Sequence, residues 1–481
     1  MEGTTGHEVD VIVIGAGPVG ENVADRARAG GLEVLVVEHE LLGGECSYWA
    51  CVPSKTLLRS GAALRAARRV PGAAEAVTGE LDVAAVLRRR DEFVHHWDDS
   101  GDATWLEGVG IALARGHGRL AGPRLVAVEH DDATTTWTAR HAVVLSTGSD
   151  PSLPRIEGLA DSRPWTSRDA TGAHDVPGRL AIIGGGVTAV EIATAYAGFG
   201  TEVTLLARSG LLGGMEPFAG ELVADGLRAL GASVRLGVTP DRVHRDDAGQ
   251  VVLELAGHEP IVADEVLVAT GRRPRTGDVG LDSIGLEPGA WLDVDDALRV
   301  RGVDGGWLYA TGDVNRRALL THQGKYQARA AGDGIAARAT GAHVDDGPWG
   351  VHVATADHRA VPQVVFGDPE CAAVGLTAAQ AEEAGIATRV VDVGMDAASG
   401  TGIHSDGPPG RARLVVDAER GTVVGATFVG QDVAELIHAA TVAIVGEVPV
   451  DRLWHAVPSF PTMSEVWLRL LEALGRPEGG R

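Results

Sequence analysis

The chain has 481 residues, 44% of them apolar and 22% charged, with a formal net charge of −24 and three cysteines. That length suggests about three domains with sizeable cores, and the charge argues against nucleic acid or an anionic membrane surface as a main partner. No apolar run reaches the roughly 18 residues of a membrane-spanning helix, the start MEGTTGHEVD lacks the regions of a secretory leader, and three cysteines make no extracellular disulfide framework, so a cytoplasmic protein is expected.

The first predicted element is a buried strand, Val9 to Ile14, followed by Gly15, Gly17 and Gly20, a helix, and a second strand ending at Glu38. Glycines at that spacing permit a tight turn and bring the backbone close to a diphosphate at the helix N-terminus. Glu38, 18 residues beyond Gly20, stands where an acid accepts hydrogen bonds from a ribose diol. Next comes GGECSYWACVPSK, residues 43 to 55, with Cys46 and Cys51 five positions apart. On an undistorted α-helix such residues have Cα atoms about 8.6 Å apart, whereas a disulfide needs less than about 7 Å. Either the first turn is loose or the pair stays reduced. Pro53 suits a helix start. Three readings stand at this point: a redox disulfide, half a metal site with only His39 nearby, or two buried thiols.

Further along, VLSTGSD (144 to 150) contains Thr147 and Gly148 after an apolar run. LAIIGGGVTAVEIATAYAGFGTEVTLLAR (180 to 208) repeats the nucleotide pattern with Gly184, Gly186 and Ala189. Here Ala207 occupies the place of the acid and Arg208 follows, which favours NADP(H) over NAD(H), because the 2′-phosphate meets no carboxylate and gains a cation. VLVATGRRP (266 to 274) leads to Gly271, and GWLYATGDV (306 to 314) places Asp313 just past a turn.

In this order, the motifs resemble the class I pyridine nucleotide-disulfide oxidoreductases, flavoproteins that include lipoamide dehydrogenase, glutathione reductase and mercuric reductase. The resemblance runs from about Val9 to the C-terminal helix. It implies an α/β fold with two Rossmann-like dinucleotide-binding domains and a C-terminal α+β dimerisation domain. The expected boundaries are 1–150 and 283–350 for FAD, 151–282 for NAD(P), and 355–481 for the interface. Gly15, Gly17, Gly20, Glu38, Gly44, Thr147, Gly148, Asp313 and His322 would serve FAD, and Gly184, Gly186, Arg208 and Gly271 the nicotinamide cofactor. Cys46 would attack substrate, Cys51 would lie against the flavin, and Lys55 with Glu191 would form an ion pair beside it, hydride arriving from NAD(P)H. The enzyme would be a homodimer with its active site at the interface and would bind no metal of its own. His322 and Lys325 would fall near the start of a helix directed at the flavin, and Cys371 would be a small core residue.

The family closes with His-Pro-Thr-x-x-Glu, whereas this chain reads FPTMSE, so Phe460 replaces the proton-shuttling histidine and Glu465 loses its usual partner. A missing general base costs about two to four orders of magnitude in the protonic step. His455 or Glu45 are the conceivable substitutes, although the charge of Glu45 would also raise a neighbouring thiol. Tyr48 and Trp49 replace smaller residues between the cysteines, suiting either a flat acceptor or core packing. The C-terminus lacks the second cysteine pair of mercuric reductase. The expected activity is electron transfer from NAD(P)H through flavin and a redox-active Cys46–Cys51 disulfide to a small-molecule acceptor, quinone-like or a metal ion. The alternatives are a dihydrolipoyl dehydrogenase or low-molecular-weight disulfide reductase, and a slow redox-sensing flavoprotein.

Overall fold

A computed structural model of the chain describes residues 7–407 and 410–476. They form two compact units. One takes in the described residues up to Pro53 with Asp91–Pro151 and Arg272–Asp357; the other takes in Ser54–Arg90, Ser152–Gly271 and the described residues from His358 on.

The first unit is organised by β1 (His7–Ile14), α1 (Pro18–Ala29) and β2 (Val34–Glu38). Strand β1 lies parallel to β2 on one side and to the long strand Ala133–Leu145 on the other. Such strands are covered on both faces, which is why they read as unbroken runs of Val, Ile and Leu. Ala112–Arg115 extends the sheet beyond β2, and Leu308–Ala310 pairs with the C-terminal end of Ala133–Leu145. Pro18 opens α1, where a missing amide hydrogen does no harm, and Val23, Ala24 and Ala27 bury its inner face. Two helices follow β2: the short α2 (Gly44–Tyr48) and the long α3 (Cys51–Arg68).

In the second unit, a four-stranded parallel sheet runs Ser233–Leu236, Glu202–Ala207, Arg179–Ile183, Glu265–Val268. Its helix Val187–Gly198 is nearly all buried. A separate five-stranded antiparallel sheet spans Gln363 to Gly430. The amphipathic helix Val466–Leu474 closes its core, with Val466, Leu470, Leu471 and Leu474 on the inner face. The α/β architecture expected from the sequence is the one observed. Among the described residues no helix is long and apolar enough to cross a membrane.

A tight backbone approach in this unit lies under helix Pro217–Ala229, where a Cβ at Gly226 would stand 1.9 Å from the Asp368 carbonyl oxygen. Asp368 is itself buried and receives Arg65 at 2.5 Å and Arg69 at 2.8 Å. Gly226→Ala is therefore expected to lower unfolding free energy by about 1–3 kcal/mol, as overpacking does, read from urea unfolding.

Candidate redox and nucleotide site

Cys46 lies in the middle of α2 and Cys51 is the first residue of α3. Between them the helix is interrupted: Trp49 sits at φ −137° and ψ 1°, outside helical geometry. The interruption removes the spacing that an undistorted helix would impose. The two are thiols, not joined in a disulfide in this structure. The hydrogen bond with Cys51 and then burial push the Cys46 thiol far above its ordinary value, against the pull of Thr321 and Lys325. Cys51 Sγ lies 3.4 Å from Thr321 Oγ1, the first residue of helix Thr321–Thr340, whose His322 is exposed. Pro53 falls in the first turn of α3, where proline is tolerated. Cys371 is buried in strand Glu370–Gly375 with Sγ 3.3 Å from Met215 Sδ, and burial pushes it up to about 12. It is a core residue, as expected.

The first glycine turn is as tight as its spacing predicts. A Cβ at Gly20 would lie 1.9 Å from the Gly15 carbonyl oxygen, while nothing stands within 4 Å of a Cβ at Gly17, the residue that caps α1. Gly44 starts α2 directly against this turn, its added Cβ falling 2.9 Å from Gly17 Cα. Glu38 is buried, and its carboxylate accepts the Ala16 amide at 2.7 Å and the Glu40 amide at 2.8 Å. Burial alone would raise it, but hydrogen bonds from His39, Ala16 and Glu40 outweigh that and hold it below the usual carboxylate range. A carboxylate has about four acceptor positions, so about one is left for a ribose hydroxyl. Thr147 Oγ1, beside Gly148, is buried with no hydrogen-bond partner among the described residues. Asp313 receives Ser149 Oγ at 2.5 Å and faces Arg272 at 3.6 Å. A narrow glycine turn at a helix N-terminus, an ionised acid at the strand end and an orphaned hydroxyl fit the diphosphate and ribose of FAD.

In the second unit, a Cβ at Gly184 would lie 2.2 Å from the Ala269 carbonyl oxygen, and Gly186 caps helix Val187–Gly198. Gly271, at φ +147°, lies beyond strand Glu265–Val268. Ala207 ends its strand buried, and the following Arg208 is exposed. Glu191 is buried with Oε2 2.6 Å from Lys55 Nζ and Oε1 accepting the Phe366 amide at 3.1 Å. Lys55 also stands 5.3 Å over the Phe366 ring. The expected ion pair is present.

The residues that break the family pattern fall differently. Phe460 is 75% exposed and His455 is exposed as well. Glu465 is buried, accepting the Gly400 amide at 3.4 Å and lying 3.6 Å from Arg469. Glu45 is ion-paired with Arg275 at 3.1 Å. Tyr48 is 1% exposed, a core residue, while Trp49 is half-buried. Sequence reasoning missed Glu21 in the first turn of α1. Burial first, and then Asp102, push its carboxyl up to about 7. The available signal was an acid directly after the third glycine, on a helix whose far side packs. Among the described residues no group of three His, Cys, Asp or Glu is placed to hold a metal ion.

Comparison with known proteins matches residues 9–332 to the pyridine nucleotide-disulphide oxidoreductase family and residues 361–470 to its dimerisation domain. The chain is 31% identical to dihydrolipoyl dehydrogenase of Geobacillus stearothermophilus over 98% of its length and 97% of that protein. It is 30% identical to mercuric reductase of Staphylococcus aureus over 95% of its length and 81% of that protein. The solved Cu(II) complex of the HOCl-induced flavoprotein disulfide reductase RclA from Escherichia coli superimposes with a TM-score of 0.82 at 23% identity, covering 97% of this chain and 99% of that one.

Two outcomes follow from the buried acids. Lys55→Met leaves the Glu191 carboxylate without its cation; the loss should be about 1–3 kcal/mol in urea unfolding, less than for a wholly buried pair because Lys55 is about a third exposed. Glu21 binds its proton more tightly folded than unfolded, so wild-type stability relative to Glu21→Gln should fall as pH rises from about 4.5 to about 7 and stay lower above that. The variant should gain at least about 1 kcal/mol on wild type at pH 8 compared with pH 4.

Proposed function

The chain belongs to the pyridine nucleotide-disulphide oxidoreductases, and on that premise we propose that it passes electrons from NAD(P)H to Cys46 and Cys51 and on to an acceptor other than a linear disulfide. The observation that carries the reading is the meeting of the Cys46 and Cys51 thiols where α2 breaks from α3. When bound, FAD would take hydride from NAD(P)H and deliver two electrons to the cysteine pair. Gly15, Gly17, Gly20, Gly44, Glu38, Thr147, Gly148, Asp313 and His322 would hold it. Lys55, oriented by Glu191, supplies a cation that favours negative charge on a reduced ring. Cys51 is the thiol assigned to the flavin side, and Cys46 the thiol assigned to the acceptor.

Gly184, Gly186 and Gly271 would serve the nicotinamide cofactor. The absence of an acid at Ala207 and the exposed Arg208 support NADP(H) over NAD(H). The dimerisation domain supports a homodimer whose partner completes the site. In a single chain Phe460 and Val457 are 75% and 82% exposed, an apolar loop suited to being covered. A cytoplasmic setting belongs to the same proposal.

The acceptor follows from protons and sulfur. Phe460 moves no proton, Glu45 is engaged by Arg275 and Glu465 lies near Arg469. A linear disulfide needs its leaving thiolate protonated; a metal ion or a quinone-like acceptor does not depend on that step. Adjacent thiols bind soft metal ions well, and mercuric reductase and the RclA complex are relatives whose names carry a metal. With Tyr48 in the core, only Trp49 is left to present a flat surface to a quinone. The second reading is a dihydrolipoyl dehydrogenase, favoured by 31% identity along nearly the whole chain and opposed by Phe460.

Titration with NADPH, and separately with NADH, should produce long-wavelength thiolate-to-flavin absorbance that Cys51→Ser abolishes and Cys46→Ser retains. Direct bleaching of the flavin in wild type without that band rules out the cysteine reading. Phe460→His should raise turnover with glutathione disulfide or lipoamide by about 10²–10⁴. Wild-type turnover already at the level of that variant defeats the assignment of the acceptor.

A further inference from the structure

Tyr48 stands two residues beyond Cys46, and the structure assigns it a task that its burial alone does not describe. The segment leading into and forming α2 is held at three points by one corner of the first unit. Arg115, ending strand Ala112–Arg115, donates to the Glu40 carbonyl at 3.0 Å. Asp99 accepts the Leu42 amide at 2.8 Å and is ion-paired with Arg115 at 2.7 Å. The Tyr48 hydroxyl lies 3.3 Å from Asp102 Oδ2 and 3.4 Å from the Asp98 carbonyl oxygen. Asp99 caps helix Ser100–Val109, and Asp102 lies in its first turn. One short acidic run therefore grips α2 ahead of Cys46 and behind it.

The backbone that presents this run is unusual. His95, His96 and Trp97 follow one another at φ 49°, 53° and 58°. Three successive non-glycine residues in the left-handed region persist only where their surroundings hold them there. What this turn delivers is the stretch from Asp98 to Asp102. Meanwhile α2 has five residues and no stability of its own, and the interruption at Trp49 separates it from α3. The position of α2 is thus set from outside. The phenol, pushed up by burial and then by the charges of Asp102 and Asp99, stays a donor at any working pH.

We propose that Tyr48 and Asp102 are positioning residues for Cys46: their contact fixes α2 so that the Cys46 sulfur meets Cys51, and so sets how readily the two thiols close to a disulfide. This rests on the redox reading above and adds to it a determinant remote from the sulfurs. When the bridge forms, each thiol gives up its proton, the two sulfurs together lose two electrons and join, and a disulfide oxidant such as glutathione disulfide takes up both electrons and both protons to become two thiols. A loosened α2 lowers the effective concentration of one sulfur at the other.

The test uses the full-length FAD-loaded protein and the variants Tyr48→Phe, Asp102→Ala and both together. Two quantities are read: the equilibrium constant for the Cys46–Cys51 bridge in glutathione buffers, and the ratio of iodoacetamide labelling at Cys46 to that at Cys51, resolved by mass spectrometry. Each single variant should shift the equilibrium about three- to tenfold toward the dithiol, the range that follows from one lost hydrogen bond, and should raise the share of label on Cys46. The double variant should be no worse than either single one, because all three remove the same contact. Asp102→Glu, which keeps an acceptor, should recover part of the shift. Flavin content and melting temperature serve as controls: variants that lower the melting temperature but keep the equilibrium constant and labelling ratio of wild type show a packing role and overturn the proposal. If Tyr48→Phe fails to fold, Asp102→Ala decides by the same two readings. A wild-type protein that forms no bridge at all overturns the redox reading itself, an outcome distinct from a bridge that both variants leave unchanged.

Discussion

Five residues is an awkward interval for two sulfurs that must meet. A continuous α-helix would hold Cys46 and Cys51 too far apart, and a fully flexible loop would lose the rigidity that brings them together. The chain resolves this by ending one helix at Tyr48, turning at Trp49 and starting another at Cys51. The two cysteines thus sit across a joint, one on a long helix and the other on a short dependent one. The short helix is steadied by the hydrogen bonds of Asp99, Asp102 and Arg115, on which the proposed positioning of Cys46 rests.

The same economy of space appears in the nucleotide turns. Gly20 and Gly184 admit no Cβ because backbone oxygen atoms already fill the room. Side chains are excluded there, which leaves room for main-chain amides to face a diphosphate, and α2 begins against the first turn at Gly44. Within the first unit, the cofactor cradle and the helix bearing Cys46 are therefore built on one another. A change in either is felt by the other through contacts between backbones, which yield little.

Buried acids show how differently one chemical group can be used. Glu38 is held ionised by backbone amides and His39, while Glu191 meets a lysine and an amide, and Glu465 an amide with an arginine nearby. For Glu21, Lys325 and the Gly43 amide do not outweigh burial and Asp102, and it is pushed toward its neutral form. Burial sets the cost in every case; the number and sign of the neighbours decide whether charge survives it.

The sequence by itself determined the architecture and the chemistry class. Glycine spacing, unbroken apolar strands and strand-end residues such as Glu38 and Ala207 are local constraints, written within about thirty residues, and they are legible for that reason. The pairing of Lys55 with Glu191 was legible only through resemblance to a family, since 136 residues separate them. Tertiary structure alone decided the rest. It placed Tyr48 in the core, though the same aromatic would have suited an exposed platform equally well. It engaged Glu45 with Arg275, 230 residues away, and lifted Glu21 by enclosing it. It also showed where α2 ends and what grips it. Burial, long-range partners and the tilt of a five-residue helix depend on segments that meet only after folding, and no local pattern of residues encodes them.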